Sequence, residues 1–145
     1  MAIQRMEHVG VIVDDLAAAI EFFVELGFEL EGEMSMDDRA VDRLVGLEGV
    51  RTDFAFVRTP DGQGALELIK FHSPPSEGGD SRAPANAPGL RHLAFRVDDI
   101  HAVVAGLQAR DVELVGELVN YEDSWWLCYV RGPEGIIVEL AEKIG

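Results

Sequence analysis

The sequence predicts an α+β protein made of two similar βαβββ modules, and three observations predict it. The segment EHVGVIVDDL at 7–16 returns as RHLAFRVDDI at 91–100, so that His8 and His92 stand 84 positions apart. A match of that length in a chain of 145 residues marks an internal repeat. Apolar residues at helical spacing follow each copy. Each half then carries a Pro-Gly turn between two apolar runs, VRTPDG at 57–62 and VRGPEG at 130–135.

The elements follow in order. In the first copy Val9, Val11 and Val13 form one face of a strand, with His8, Gly10 and Ile12 on the other. Asp15 can accept the free N–H groups of a helix whose stripe is Leu16, Ile20, Phe23 and Leu26, and Gly27 is placed to end it. FELEGE (28–33) resumes extended chain, and the run ALELIKF (65–71) after the turn alternates as a strand. The second half repeats the plan with Leu93, Phe95 and Val97, a helix striped by Ile100, Val103, Val104 and Leu107, a strand at VELVGE (112–117), and a closing strand at IIVELAEK (136–143). Between the halves SPPSEGGDSRAPANAP (73–88) is rich in Pro, Ser and Gly and reads as a flexible linker. The organisation is therefore one domain, 1–145, of two modules at about 1–72 and 89–145. A module of roughly sixty to seventy residues has a marginal core of its own, so two curved sheets set side by side around a cleft are expected.

Composition narrows the functional classes. Twelve Lys and Arg against twenty-seven Asp and Glu leave a formal charge of −15, which repels phosphate backbones and anionic headgroups. Nucleic acid and membrane are thus not expected as partners. The same acidity can attract a cationic ligand or simply keep the surface solvated. Cys128 is the one cysteine and can form no bridge within the chain, and no signal-like start or apolar run of spanning length occurs, so a cytoplasmic setting is expected.

Strand parity selects candidate site residues. His8 and His92 point away from the helical side, each followed two positions later by a very small residue, Gly10 or Ala94. Glu67 and Glu139 oppose Leu66 and Leu68, and Val138 and Leu140, so two imidazoles and two carboxylates occupy equivalent positions facing the cleft. Carboxylates on the inner face of a sheet are costly unless paired or bound to metal. One divalent cation would relieve that cost; exposure of both glutamates on an uncovered sheet face is the competing reading. Phe54, Phe56, Trp125, Trp126 and Tyr129 can line a substrate side, although packing in the core competes for them. Cys128, between aromatics, reads as a buried small hydrophobe, and His72 and His101, without counterparts in the repeat, as surface residues.

Through HVGVIVDDL, PDGQGALEL, RHLAFRVDDI and RGPEGIIVEL the chain resembles the vicinal oxygen chelate superfamily, which includes glyoxalase (lactoylglutathione lyase), methylmalonyl-CoA epimerase, fosfomycin-modifying enzymes, extradiol dioxygenases and bleomycin-resistance proteins. The resemblance covers nearly the whole chain and is weakest in 32–52 and in the linker. It implies a glyoxalase-like fold, with metal ligands at His8, Glu67, His92 and Glu139, a set most like that of glyoxalase. It further implies a metal-dependent lyase or isomerase that moves a proton on a small-molecule substrate chelated through adjacent oxygens, with Glu139 as first candidate for the base and Glu67 as second. The ion would be Zn, Ni, Co, Mn or Fe. A homodimer is implied too, and the two halves could pair within one chain or across two. Related glyoxalases tend to carry an Arg four residues after the first ligand His, used for glutathione; here that residue is Ile12, and Arg96 takes the equivalent slot of the second half. Arg96, Phe56, Trp125 and Tyr129 are the expected substrate-binding residues. Alternatives within the same resemblance are a binding protein that sequesters a cationic antibiotic and an epimerase acting on an acyl-CoA. Arg39, Arg43 and Arg51 mark 32–52 as a possible lid.

Overall fold

The computed structural model describes residues 2–145, and its backbone contacts divide into two units, Met1–Gly78 and Gly79–Gly145. The first contains β1 (Val9–Ile12), α1 (Leu16–Leu26), β2 (Glu29–Met36), α2 (Arg39–Val45), β3 (Arg51–Arg58) and β4 (Ala65–Ser73). The second contains β5 (His92–Arg96), α3 (Ile100–Gln108), β6 (Val119–Tyr121), β7 (Trp125–Arg131) and β8 (Ile137–Lys143). Each unit holds one four-stranded mixed sheet that does not close on itself, in the order β1-β4-β3-β2 and β5-β8-β7-β6. In both, the first strand runs parallel to the last, and the remaining pairs are antiparallel.

The helices form where periodicity places them. Asp15 accepts the N–H of Ala18 at 3.0 Å and Asp99 that of Ala102 at 3.1 Å, so the repeated Asp-Asp supplies both N-caps. Gly27 turns left-handed (φ 117°) and stops α1. α1 lies on β3 and β4, burying Ala19 and Phe23 completely, and Phe23 meets Phe28 edge-on at 5.4 Å between ring centres. Ala55, Val57, Leu66 and Leu68 supply the sheet side of this core. In the second unit Ile100, Val104 and Leu107 of α3 are buried with Val130, Val138 and Leu140.

Two elements differ from expectation. Residues 32–52 include a second helix, α2, capped by Asp38 on the N–H of Val41 at 3.1 Å. Its closing turn is held by Asp42, whose carboxylate accepts from Gly49 at 3.1 Å and Val50 at 2.8 Å. Only Val41 of this helix is buried, so no apolar stripe announces it. The expected strand at VELVGE is absent: Leu114 makes an isolated bridge to Val130, and the edge strand is Val119–Tyr121. Left-handed backbone at Glu122 and Asp123 (φ 51° and 55°) folds a tight hairpin there, which brings these later residues against β7.

Residues 79–88 carry no regular structure, yet they are fastened to the second unit. Arg131 donates from Nη2 to the Ala83 carbonyl at 2.7 Å, and Ala83 is buried. Gly135, at φ 87°, lies so close to Ser81 that a Cβ there would run into the Ser81 carbonyl. Gly135→Ala combines a left-handed backbone with a backbone clash and is expected to destabilise the protein by more than about 2 kcal/mol, read from the shift of a urea denaturation midpoint. By the same measurement Phe23→Ala, which empties a fully buried aromatic site, should cost about 3–5 kcal/mol.

Candidate functional site

Strand register sets a histidine beside a glutamate in each unit. Gly10 pairs in parallel with Glu67, and Ala94 with Glu139. His8 and His92 lie two residues before those small partners and therefore on the faces that carry the carboxylates. With no bulk opposite it, each glutamate can lean along its neighbour toward the imidazole; even a Cβ on Gly10 would find its nearest atom, Ile69 Cδ1, at 3.9 Å. His8 Nε2 stands 3.6 Å from Glu67 Oε1, and His92 Nε2 stands 3.2 Å from Glu139 Oε1. The glutamate side chains are 23% and 20% exposed, so both are largely desolvated.

These separations lie at or beyond the limit of a good N–H···O hydrogen bond. Two ligand atoms each about 2.0–2.2 Å from a shared ion, at angles between a right angle and the tetrahedral value, are separated by about 3.0–3.5 Å. Each pair therefore offers one nitrogen and one carboxylate oxygen close to the spacing that two ligands of one ion adopt. As donors, an imidazole and a carboxylate suit Zn, Ni, Co, Mn or Fe(II).

The aromatic neighbours repeat as well. Phe56 pairs across the strands with Glu67, and Tyr129 with Glu139. The His8 and Phe56 rings meet edge-on at 5.4 Å, and the His92 and Tyr129 rings are tilted by 38° at 5.0 Å. The Arg96 guanidinium sits 5.4 Å above the Trp125 ring, on the face that carries His92. Of the two roles open to Trp126, packing prevails: it pairs with Glu142, and its ring lies 4.8 Å from that of His101 on the opposite face of the sheet. Its alternation with Trp125 along β7 makes that outcome inevitable.

His72 and His101, expected only as surface residues, both have acidic company. His72 Nε2 lies 2.7 Å from Asp53 Oδ2. The Ser35 hydroxyl and then His72 hold the Asp53 carboxyl below its ordinary range. Asp99, His101 and Glu142 bring one potential ligand atom apiece within 4.8 Å of one another. The two carboxylates there already accept N–H groups at the start of α3, Glu142 from Ile100 at 2.7 Å and Asp99 from Ala102, and the positive helix end opposes a cation. Facing rules could not find this group, because it joins a helix start to the outward face of β8. Arg39 and Arg43 sit on α2 and Arg51 opens β3, so the arginines of 32–52 belong to regular elements.

A βαβββ repeat with a His–Glu pair in each half defines a glyoxalase-like protein. The chain belongs to the Glyoxalase/Bleomycin resistance protein/Dioxygenase superfamily, whose model matches residues 5–140. It is 30% identical over 144 residues to the uncharacterized protein YaeR of Escherichia coli (strain K12), covering 99% of each chain. A glyoxalase family protein of Bacillus cereus has 41% identity, a TM-score of 0.96 and coverage of 100% of this chain and 99% of that one. TnmS3, an antibiotic binding protein from Streptomyces sp. CB03234, shares the fold at 23% identity and a TM-score of 0.65, over 99% of this chain and 98% of its own.

Cys128 is buried in β7, and burial, with a smaller contribution from the Glu139 charge, pushes its thiol above the ordinary value. A chromogenic disulfide at about pH 8 should leave it unlabelled in the native protein and label it fully in denaturant, since the thiolate is the reacting form.

Proposed function

We propose that the chain is a metal-dependent lyase or isomerase of glyoxalase type, moving a proton on a small substrate held through adjacent oxygens. The observation that supports this best is the His–Glu pair built twice from the same register, with a ring beside each imidazole. A packing role would not require two largely desolvated carboxylates to face histidines at or beyond the limit of a good hydrogen bond. In this reading His8, Glu67, His92 and Glu139 hold one divalent ion, from one chain or from two chains of a homodimer. The ion would polarise the substrate carbonyl and make the adjacent C–H more acidic.

The remaining work falls to the chain's own groups. Once loosened from the ion, the Glu139 carboxylate would accept the proton from the carbon beside the carbonyl and return it to the neighbouring carbon, so that one C–H bond breaks and another forms. Glu67 is the second candidate for this step. Phe56 and Tyr129 exclude water beside the two imidazoles, and Arg96, with Trp125, orients a polar end of the substrate. Among the described residues no helix is long and apolar enough to cross a membrane, and the single cysteine, buried as a free thiol, supports a cytoplasmic setting for the protein. Its ligand is a small molecule, with neither nucleic acid nor membrane as partner.

A second reading, sequestration of a cationic antibiotic, is favoured by the charge of −15 and by the fold shared with TnmS3. Metal analysis of protein purified without added metal, followed by proton exchange on methylglyoxal–thiol adducts, separates the two. The enzyme reading expects one ion per His–Glu quartet, lost in His8→Ala, and a fall in exchange of about 10²- to 10⁴-fold in Glu139→Gln. A metal-free protein without exchange activity that binds a cationic glycopeptide supports sequestration instead.

A further inference from the structure

In the second unit, one short segment is held by three groups that the repeat also builds in the first. Arg131 donates from Nη1 to the Gly135 carbonyl at 3.1 Å, and its Nη2 takes the Ala83 carbonyl at 2.7 Å. Residues 80–83 form a tight turn, in which Asp80 Oδ1 accepts the N–H of Arg82 at 2.9 Å and the Asp80 carbonyl accepts that of Ala83 at 3.2 Å. The turn lays the Ser81 carbonyl against Gly135 and brings Arg82 Nη1 to 3.6 Å from Glu113. Glu113 itself meets Arg131 across the strands, its carbonyl accepting the Arg131 N–H at 2.9 Å.

The first unit presents the same three groups. Arg58 stands where Arg131 does and donates from Nη1 to the Gly62 carbonyl at 3.3 Å. Gly62 is left-handed like Gly135 (φ 76° and 87°), and its N–H closes on the Thr59 carbonyl as that of Gly135 closes on Gly132. Glu29 pairs with Arg58 across the strands, in the place of Glu113. Here no described segment of the chain covers them. A Cβ on exposed Gly62 would meet nothing within 4 Å, whereas on Gly135 it would strike the Ser81 carbonyl. Arg58 is held through Nη1 and, at 2.9 Å, through Nε on Glu31, so that Nη2 keeps its donors; among the described residues Glu29 has no cationic partner.

We infer that Arg58, Gly62 and Glu29 form a docking surface for a protein partner that presents an Asp-capped turn with an arginine beside a small residue, the chemistry of residues 80–83. A carbonyl of the partner's turn accepts from Arg58 Nη2, its backbone crosses Gly62 where a side chain would block it, and its guanidinium pairs with Glu29. The acidity of the chain favours the arginine. An exposed ion pair and one backbone hydrogen bond make this a weak, exchangeable contact. The surface needs no ion at the His–Glu pairs, so the inference stands apart from the proposed function.

The test is an acetylated, amidated peptide with the sequence of residues 79–85, titrated at low salt into the full chain and followed by amide NMR. Saturable shifts at Gly62 and Glu29 are expected, with a Kd of about 1 mM and with the signals of Ser81 and Gly135 unmoved. The same peptide with Arg82→Ala should bind about two- to fivefold more weakly. Glu29→Gln in the protein should weaken the parent peptide by the same factor and leave the altered peptide unaffected, as a direct contact requires. Gly62→Asn, which tolerates the left-handed backbone, should abolish saturation while the rest of the spectrum stays native. No saturable shift up to about 10 mM, equal binding of the two peptides, or shifts at Ser81 and Gly135 in place of Gly62 overturns the inference. A Gly62 signal that moves when the free protein is diluted, the mark of a second copy seated there, overturns it as well.

Discussion

Parallel pairing of the first and last strands of each half is the constraint on which the site depends. It puts Gly10 opposite Glu67 and Ala94 opposite Glu139, and so leaves each carboxylate free to turn toward the histidine two residues upstream. A parallel pair needs a crossover, and α1 and α3 supply it while burying the other face of their sheets. The helices thus fix which face of each sheet is left to the glutamates. Phe23, Leu68, Ile100 and Leu140 form the cores on the helical faces, and the residues between them in sequence become the chemistry on the opposite faces.

Electrostatics explains why such an arrangement asks for a partner. Glu67 and Glu139 are about four-fifths buried as side chains, and each faces an imidazole from at or beyond the limit of a good hydrogen bond. A largely desolvated carboxylate is satisfied by a close donor or a cation. The other histidines of the chain show the contrast, since His72 makes a close contact with Asp53 and His101 rests against Trp126. Their carboxylate neighbours are already engaged by hydroxyl or backbone donors.

Much of this was legible because repetition and alternation are strong signals. The two Asp caps, the helical stripes and the closing strands lie where the repeat places them, and His8, Glu67, His92 and Glu139 face as parity requires. What escaped depended on contacts without a period. α2 is short, buries one residue and is held by Asp42 reaching across to Gly49 and Val50, a link that no local pattern shows. VELVGE failed as a strand because the Glu122–Asp123 turn selects later residues for pairing. Trp126 took the packing role that competed with a place in the lining, on the face opposite Trp125 as alternation requires.

The bulged outer strand of the first sheet has a consequence of its own. β2 is eight residues long, almost wholly exposed, and unpaired along one side, which makes it a template onto which a foreign strand could grow. Its shift in register between Leu30 and Gly32, and the glutamates at 29, 31 and 33, deny that template a flat and neutral edge. Acidity that looks like surplus in the composition is, along this strand, a guard against runaway aggregation.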